Sequence, residues 1–405
     1  MPVTVRLLTD IGRLWNGTEI ISNAAIVLHD DMIAWAGPRA ALPAGIPGVI
    51  ERVAEADQID HLDGTLVTPG LIDAHTHPVY AGNRWAELSM RSGGASLEEV
   101  VSAGGGLSSS VTVTRGTDPW TLRTLVESRM RDWLLAGTTT IEAKTGYHLT
   151  RDGELADVRL LRSLAAGDGL PRAHVTFLAA SAVPPEYRDH REEYVAAVAA
   201  WCQDAAAAGA DGVDVVCEQG RFTADEARLI LGAGEAAGLI PRLHAGGDSQ
   251  IGAARVAAEL GCASADLLNG ATDEDVAALA AAGVSAVVCP ASGPDYDTVP
   301  PVRSLLDRGV PVALGSGHAP GMNGITSMAL VVALAIENFG MSVSEALRAA
   351  TVGSARALRL TGRGVAAAGA AADLVAWDAD HEGAFAWSYS LRPRRIWLGG
   401  EPVAG

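Results

Sequence analysis

The stretch Leu66-Val67-Thr68-Pro69-Gly70-Leu71-Ile72-Asp73-Ala74-His75-Thr76-His77 decides how this sequence folds. Its apolar part, from Leu66 to Asp73, is typical of a buried strand, and the two histidines follow where that strand ends. Residues i and i+2 of a strand point to the same face, so the imidazoles of His75 and His77 converge on one point. The pattern therefore indicates a divalent metal site at the C-terminal end of a barrel strand, with two structural histidines as the alternative.

The composition indicates a large folded protein with a substantial core. Hydrophobic residues make up 48% of the 405 positions and charged residues 19%, which permits an extensive buried core. The formal net charge of −18 speaks against binding to nucleic acid or to an anionic membrane. The first residues lack a signal-peptide pattern, and no apolar run approaches the roughly 18 residues of a membrane span. Four widely spaced cysteines are typical of reduced thiols, so we expect a cytoplasmic protein.

The order of the predicted elements indicates a (β/α)₈ TIM barrel with a small β-sandwich domain built from both chain ends. Apolar, β-branched runs alternate with helical stretches through the middle of the chain, and with the strand before His75 they give the eight strands of a closed barrel. The other seven predicted strands are Thr138–Ala143, Ala173–Leu178, Gly212–Cys217, Pro241–Ala245, Ala263–Leu268, Ala286–Cys289 and Pro311–Gly315. We assign 66–363 to the barrel, and 1–65 with 364–405 to the β-sandwich domain.

Several motifs narrow the chain to one family. They include Ala81-Gly82-Asn83-Arg84 after the histidine pair, Glu142-Ala143-Lys144-Thr145-Gly146-Tyr147, Ala182-Val183-Pro184-Pro185-Glu186-Tyr187 and Leu243-His244-Ala245. With these motifs the sequence resembles imidazolonepropionases, the ring-opening enzymes of histidine breakdown within the amidohydrolase superfamily. The resemblance covers essentially the whole chain, and it implies a homodimer.

The resemblance also implies which residues form the site. One divalent metal ion, zinc or iron, would be bound by His75, His77 and His244 together with an aspartate. Arg84 and Tyr147 would hold a carboxylate-bearing substrate, because the guanidinium fork of arginine matches a carboxylate. The alternatives are a loop salt bridge for Arg84 and a wall position for Tyr147.

The chain departs from the family at positions that carry the reaction. The metal-binding aspartate falls on Gly317, and a second catalytic histidine falls on Leu267. An acidic or amide residue falls within Gly246-Gly247, a substrate-contacting histidine becomes Ser181, and a tyrosine becomes Leu97. We keep Ser181 as a substrate-binding candidate. Hydrolysis needs an activated water, a proton acceptor and an oxyanion donor, so these losses predict weak or absent parent activity.

Other polar residues could compensate for the losses. We take His318, one residue past Gly317, and Asp266 as catalytic candidates, although Asp266 could instead orient a neighbour. His318 could also be a metal ligand if the loop turns sharply at Gly317. Asp248 is a weaker acid/base candidate. For Lys144, the only lysine in the chain, we prefer a structural role over carbamylation or a Schiff base.

Three functions remain open at the level of sequence. The first is a metal-dependent hydrolase of non-peptide carbon–nitrogen bonds, acting on a small cyclic amide or amidine that carries a carboxylate. The second is a non-hydrolytic lyase, cyclase or isomerase of specialised metabolism with a three-histidine metal site. The third is a non-catalytic homologue. Metal content and product mass distinguish them, whereas fold alone does not.

Overall fold

A computed structural model describes residues 4–246, 251–292 and 298–403, with the side chains of Leu97 and Glu98 excepted. The chain begins with five strands that lie outside the barrel: β1 Val5–Trp15, β2 Ile20–His29, β3 Met32–Pro38, β4 Gln58–His61 and β5 Leu66–Pro69. Eight parallel barrel strands follow: β6 Leu71–Thr76, β7 Thr138–Lys144, β8 Arg172–Ala180, β9 Gly212–Val215, β10 Ile240–His244, β11 Ser264–Asp266, β12 Ser285–Val288 and β13 Val312–Leu314.

The barrel closes between its first and last strands. Strands β6 to β13 are hydrogen-bonded in chain order, and a parallel bridge between Thr76 and His318 joins the two ends. The amide of His77 donates to the carbonyl of His318 at 2.8 Å, and the amide of Gly317 donates to the carbonyl of His75 at 3.1 Å. The C-terminal ends of all eight strands therefore open on the same face of the molecule.

The two chain ends form one further sheet. It contains β1 to β5 together with β14 Leu374–Trp377, β15 Pro393–Leu398 and β16 Glu401–Pro402. The strand order is β16-β15-β14-β5-β1-β2-β3, and β4 pairs with β1. The predicted fold class, a TIM-type barrel plus a separate β unit from both ends, is confirmed. Whether the two regions fold as independent units with the assigned boundaries stays a prediction.

The single strand predicted from Leu66 to Asp73 is wrong. The chain forms two strands there, because β5 pairs with β1 and β14 whereas β6 pairs with β7. Gly70 separates them, and a Cβ at this position would overlap the hydroxyl of Thr139 on β7. The apolar run is continuous because both strands are buried, although they belong to different sheets.

Fourteen α-helices lie within the described residues: α1 Trp85–Ser92, α2 Leu97–Ser102, α3 Leu107–Gly116, α4 Pro119–Leu135, α5 Arg151–Ala165, α6 Arg191–Ala208, α7 Ala224–Ala236, α8 Ala253–Glu259, α9 Asp273–Ala282, α10 Val302–Asp307, α11 Met328–Phe339, α12 Val343–Arg348, α13 Ser354–Ala357 and α14 Ala384–Trp387. A π-helical turn, Ala349–Gly353, joins α12 to α13. Capping boxes begin several of them; Thr223 and Thr272, for example, start α7 and α9. None of the helices in the described part of the chain is long and apolar enough to cross a membrane.

Candidate metal centre

Three histidines meet at the C-terminal face of the barrel. His75 lies on β6, His77 directly follows that strand, and His244 ends β10. One ligand nitrogen from each ring lies within 4.8 Å of the other two, and all three residues are buried. The ring centroids are 4.5 to 5.6 Å apart. The structure therefore brings together the three residues that the sequence pairs with a metal ion.

Two carboxylates orient two of these rings. Nδ1 of His75 lies 2.7 Å from Oδ2 of Asp266, and Nδ1 of His244 lies 2.7 Å from Oδ2 of Asp214. A carboxylate accepts, so each Nδ1 carries its proton and donates, which leaves Nε2 with a free lone pair. This arrangement of carboxylate, imidazole and ligand nitrogen is the one that supports metal-binding histidines in proteins.

Two of the three rings, those of His75 and His77, are in the neutral protonation state that suits a metal ion. Burial lowers the pKa of His75 to about 3 and holds the pKa of His77 well below its usual value. Burial also opposes charge on His244, but the charge of Asp214 outweighs it and raises the pKa of that ring. Neutral imidazole nitrogens are ligands for zinc, iron and similar divalent ions. The donor set therefore fits the metal that the sequence predicts.

A buried ion-pair network supports the two carboxylates from below. Nζ of Lys144 lies 2.8 Å from Oε1 of Glu142, 2.7 Å from Oδ2 of Asp214 and 3.5 Å from Oδ2 of Asp266. The side chains of these four residues have no exposed area. Asp214 is a site residue that was not predicted from the sequence. Its signal is a carboxylate inside the apolar strand Gly212–Val215, where a buried charge requires a partner.

Asp266, predicted as a catalytic candidate, lies in this network. Its carboxylate contacts His75 and Lys144, and these neighbouring charges hold its pKa well below the usual value although burial acts in the opposite direction. A carboxylate with a lowered pKa and two buried partners is a weak proton acceptor. The geometry corresponds to the orienting alternative, while a catalytic role for Asp266 stays an untested prediction.

His318 lies apart from the three histidines. Its ring packs against Trp133 with centroids 4.7 Å apart, and its Nε2 lies 3.2 Å from the hydroxyl of Tyr80. Its Nδ1 lies 3.2 Å from the carbonyl of Ile325. Both ring nitrogens are therefore engaged away from the cluster, and burial lowers the pKa of the ring to about 4. The metal-ligand alternative finds no support in this placement, and the catalytic role stays a prediction.

Gly246 and Leu267, two positions at which the chain departs from the family pattern, lie against each other near His244. Leu267 is 3% exposed, and its Cδ1 lies 2.8 Å from the position that a Cβ at Gly246 would take. Oε1 of Glu218 lies at the same distance from that position. The leucine therefore occupies space that only a residue without a side chain at 246 leaves open. Gly317 has a φ of +65°, a left-handed conformation that favours glycine.

The substrate-side candidates occupy one rim of the mouth. Tyr147 is buried and meets His77 edge to face, with ring centroids 6.1 Å apart. Ser181 donates from Oγ to the carbonyl of Gly146 at 2.7 Å, so it supports the turn before Tyr147. Burial raises the pKa of Tyr147 well above its usual value, which keeps the phenol protonated.

Arg84 is tied to its own loop. Its Nε and Nη2 donate to Oε2 of Glu87 at 2.8 and 2.6 Å, and its Nη1 donates to the carbonyl of Pro320 at 2.8 Å. These contacts match the loop salt bridge that the sequence left as an alternative. They use three of the five N–H groups of a guanidinium.

Tyr80 and Arg129 complete this rim and were not found from the sequence. The guanidinium carbon of Arg129 lies 3.6 Å above the ring of Tyr80, and Arg129 also donates to the carbonyls of Pro78 and Tyr80. Tyr80 in turn faces Tyr147 with centroids 6.1 Å apart. Their signal is weak, because a tyrosine and a helical arginine are ordinary surface residues in sequence. Gly247, Asp248 and the side chain of Leu97 lie outside the described residues.

A closed barrel with histidines at its C-terminal face defines a class of metal-site enzyme folds, and comparisons with known proteins name the family. The model of the amidohydrolase family matches residues 66–403. The chain therefore belongs to the amidohydrolase family, and within that family it is imidazolonepropionase-like.

The relatives support this placement over most of the chain. The imidazolonepropionase of Caulobacter vibrioides is 39% identical over 394 residues, covering 95% of each chain. That of Geobacillus thermodenitrificans is 40% identical over 347 residues, which is 85% of this chain and 80% of the relative. A triazine hydrolase variant has a similar fold, with a TM-score of 0.75 at 17% identity over 98% of this chain and 94% of its own. The triazine hydrolase shows the fold alone, whereas the family and the imidazolonepropionase relatives support a hydrolase of non-peptide carbon–nitrogen bonds that acts on a cyclic amide-like substrate.

Proposed function

We propose that this chain binds one divalent metal ion, zinc or iron, and hydrolyses a small cyclic amide or amidine that carries a carboxylate. The observation that carries the proposal is the buried cluster of three imidazoles, two of them fixed by Asp214 and Asp266. A bound divalent ion supplies Lewis-acid chemistry that polarises an amide-like group. The chain's own residues supply orientation of the substrate and proton transfer.

The mouth of the barrel supports a changed substrate. Leu267 contributes an apolar wall where the imidazolonepropionase pattern has a histidine, and Tyr80 and Tyr147 form an aromatic wall beside His77. We propose that the ring portion of the substrate is bulkier or more apolar than imidazolone. Arg84 is the proposed carboxylate contact, through the N–H groups that Glu87 and Pro320 leave unused.

Proton transfer has one further candidate. Asp214 and Asp266 are both occupied by histidine and lysine partners. Glu218 follows β9, and its carboxylate lies beside Gly246, two residues after His244. We propose Glu218 as the proton acceptor of the reaction, because it is a carboxylate at the mouth rather than beneath the histidines.

Metal analysis tests the site directly. We expect about one divalent ion per chain in the wild type and almost none in the His75→Ala/His77→Ala double variant, because two of three ligands are lost. His190→Ala is the matched control, since its side chain is 62% exposed and lies outside the cluster. Equal metal content in the wild type and the double variant would exclude the assignment.

Product mass tests the reaction. We expect little or no turnover of imidazolonepropionate, since the aspartate at Gly317 and the histidine at Leu267 are absent, and loss of either group commonly lowers rates by about 10²–10⁴. A cyclic amide that is accepted should gain the mass of one water and bind more weakly to Arg84→Ala. A product of unchanged mass would favour the lyase, cyclase or isomerase alternative, and parent activity at the level of the relatives would refute the first expectation.

Three further expectations accompany the proposal. The resemblance implies a homodimer, which sedimentation velocity tests. Zinc and iron remain the proposed ions, and elemental analysis distinguishes them. A cytoplasmic location stays a prediction, which cell fractionation tests.

A further inference from the structure

Lys144 occupies the centre of the network beneath the histidines. Its ammonium contacts one oxygen of each of three carboxylates, those of Glu142, Asp214 and Asp266, at 2.7 to 3.5 Å. None of these side chains has exposed area, so bulk solvent does not reach the contacts. The ammonium is therefore held among carboxylates and away from bulk solvent.

The atoms around Lys144 also have the geometry of a cation site. Asp214, His244 and Asp266 offer ligand atoms that lie within 4.8 Å of one another, directly below the cluster of His75, His77 and His244. Oδ2 of Asp214 contacts both the Lys144 ammonium and Nδ1 of His244 at 2.7 Å. Because Nδ1 of His244 donates its proton to Asp214, the lower group holds positive charge through its carboxylate oxygens, and that charge is the Lys144 ammonium.

Arg242, the buried arginine beside this network, is too far away to take over this role. Nε of Arg242 lies 3.7 Å from Glu142, and its Nη2 lies 3.9 Å from Asp266. Its Nη1 and Nη2 donate instead to the carbonyls of Ala357 and Ala74. Without Lys144, three buried carboxylates would face a single, more distant guanidinium.

We propose that Lys144 is a built-in cation that fills a second cation place beneath the three histidines, limits the centre to one metal ion and positions His75 and His244 through their aspartates. Lys144 is thus a positioning residue, and it determines the number of ions that the centre takes. The part that concerns ion number rests on the proposed upper site. The occupation of the lower place by Lys144 does not depend on that site.

Two substitutions at Lys144 separate charge from space. Both Lys144→Ala and Lys144→Met remove the positive charge, but only alanine also opens the volume of the side chain. We expect Lys144→Ala to bind one more Mn²⁺ per chain than the wild type, and Mn²⁺ to raise its melting temperature well above the value in EDTA. Lys144→Met should gain no ion, and Mn²⁺ should stabilise it no more than it stabilises the wild type. A merely structural lysine would leave both variants without this cation rescue.

Lys144→Ala and Lys144→Met can also be combined with the His75→Ala/His77→Ala double variant. This combination tests ion binding at the lower place alone. There the upper site is disabled, so an ion that binds only when Lys144→Ala is also present lies below it. Absence of metal in the wild type would overturn the proposed upper site and leave this comparison intact. Equal Mn²⁺ content in the alanine and methionine variants would overturn the inference about Lys144.

A measurement on the wild-type protein tests the proposal without depending on whether a variant folds. Because the chain has one lysine, protein labelled with ¹³C at the lysine ε-carbon gives one side-chain NMR signal. We expect the chemical shift of that signal to be that of a charged ammonium at neutral pH and to stay unchanged when EDTA is added. A neutral amine, or a signal with the sharp line of a mobile solvated side chain, would contradict the proposal.

Discussion

The turn after β11 has a strained backbone, and it contains Leu267, which stands where the imidazolonepropionase pattern has a histidine. Leu267 and Leu268 have φ values of +74° and +60°, which are uncommon for residues with side chains. The amide of Leu268 donates back to the carbonyl of Asp266 at 3.1 Å, so the chain turns tightly within three residues. This turn leaves the Asp266 carboxylate under His75 and places Leu267 in the wall of the mouth. Such conformations cost about 1–3 kcal/mol each and persist where packing enforces them.

Gly246 and Leu267 should therefore be energetically coupled. We expect Gly246→Ala to lower the free energy of unfolding by about 1–3 kcal/mol, because its Cβ would press on Leu267 and Glu218. In the presence of Leu267→Ala, which removes the nearest atoms, the added cost of Gly246→Ala should be smaller. Chemical denaturation of the two single variants and the double variant measures the coupling. Strictly additive effects would show that the two positions do not share this space.

At this scale the sequence predicted which histidines meet better than it predicted the residues that support them. His75 and His77 follow from strand alternation, and His244 follows from its motif. The contacts of Asp214 and Lys144 join β7, β9 and β10, so they depend on how far side chains reach across strands that are distant in sequence. For His318 the sequence predicted less. Its position next to Gly317 does not indicate that its ring packs against Trp133.

Among the helices, α12 shows how one side chain serves two elements. Ser342 and Glu345 form a capping box at its start, and Arg303 on α10 donates to the same Glu345 at 2.9 Å. The hydrogen bond from Arg303, followed by that from the Ser342 amide, lowers the pKa of Glu345 to about 2. The carboxylate thus joins the first turn of α12 to the neighbouring helix.

The charge on Glu345 should make part of the stability depend on acid. Its folded pKa lies below the ordinary value of 4.5, so its contribution is present above about pH 4.5 and is lost as the pH falls toward 2. Because the side chain is 32% exposed, we expect only about 1 kcal/mol. Glu345→Gln keeps the shape of the cap and should flatten the stability profile in this window. An unchanged difference between pH 5 and pH 2.5 would contradict the assignment.

The strands show what the pattern of apolar residues predicts about the barrel and what it does not. The barrel strands were predicted as alternating units, and their number and order are confirmed. The division at Gly70 could not be predicted from hydrophobicity, because β5 and β6 are both buried. It depends on the close approach of Thr139, which is a tertiary contact.

At the scale of the whole molecule, the terminal sheet is fixed to the barrel by aromatic packing and ion pairs. The indole of Trp377 on β14 donates to Oγ1 of Thr68 at 2.9 Å, and its ring lies against Gly137 just before β7. Arg172 on the barrel strand β8 donates to Asp373, the residue before β14, through two contacts of 3.1 and 3.3 Å. The strand that leads into His75 therefore begins in a rigid support.

Trp377 should stabilise the molecule as a whole. We expect Trp377→Ala to lower the free energy of unfolding by about 3–5 kcal/mol, because the side chain is completely buried between the sheet and the barrel. Trp387→Ala is the control, since that tryptophan is 91% exposed and should change stability by less than about 0.5 kcal/mol. Thermal unfolding of the two variants makes the comparison, and similar melting temperatures would show that the contact is dispensable.

The burial of Lys144 has a consequence for the outside of the protein. Since no other lysine exists in these 405 residues, the folded surface carries its positive side chains almost entirely as guanidinium groups. Acetylation or ubiquitin attachment at a lysine has no accessible target while the barrel is closed. Cross-linkers and resins that react with lysine amines find none on the folded chain, and trypsin is restricted to arginine. Reaction of the Lys144 amine would therefore report that the barrel has opened.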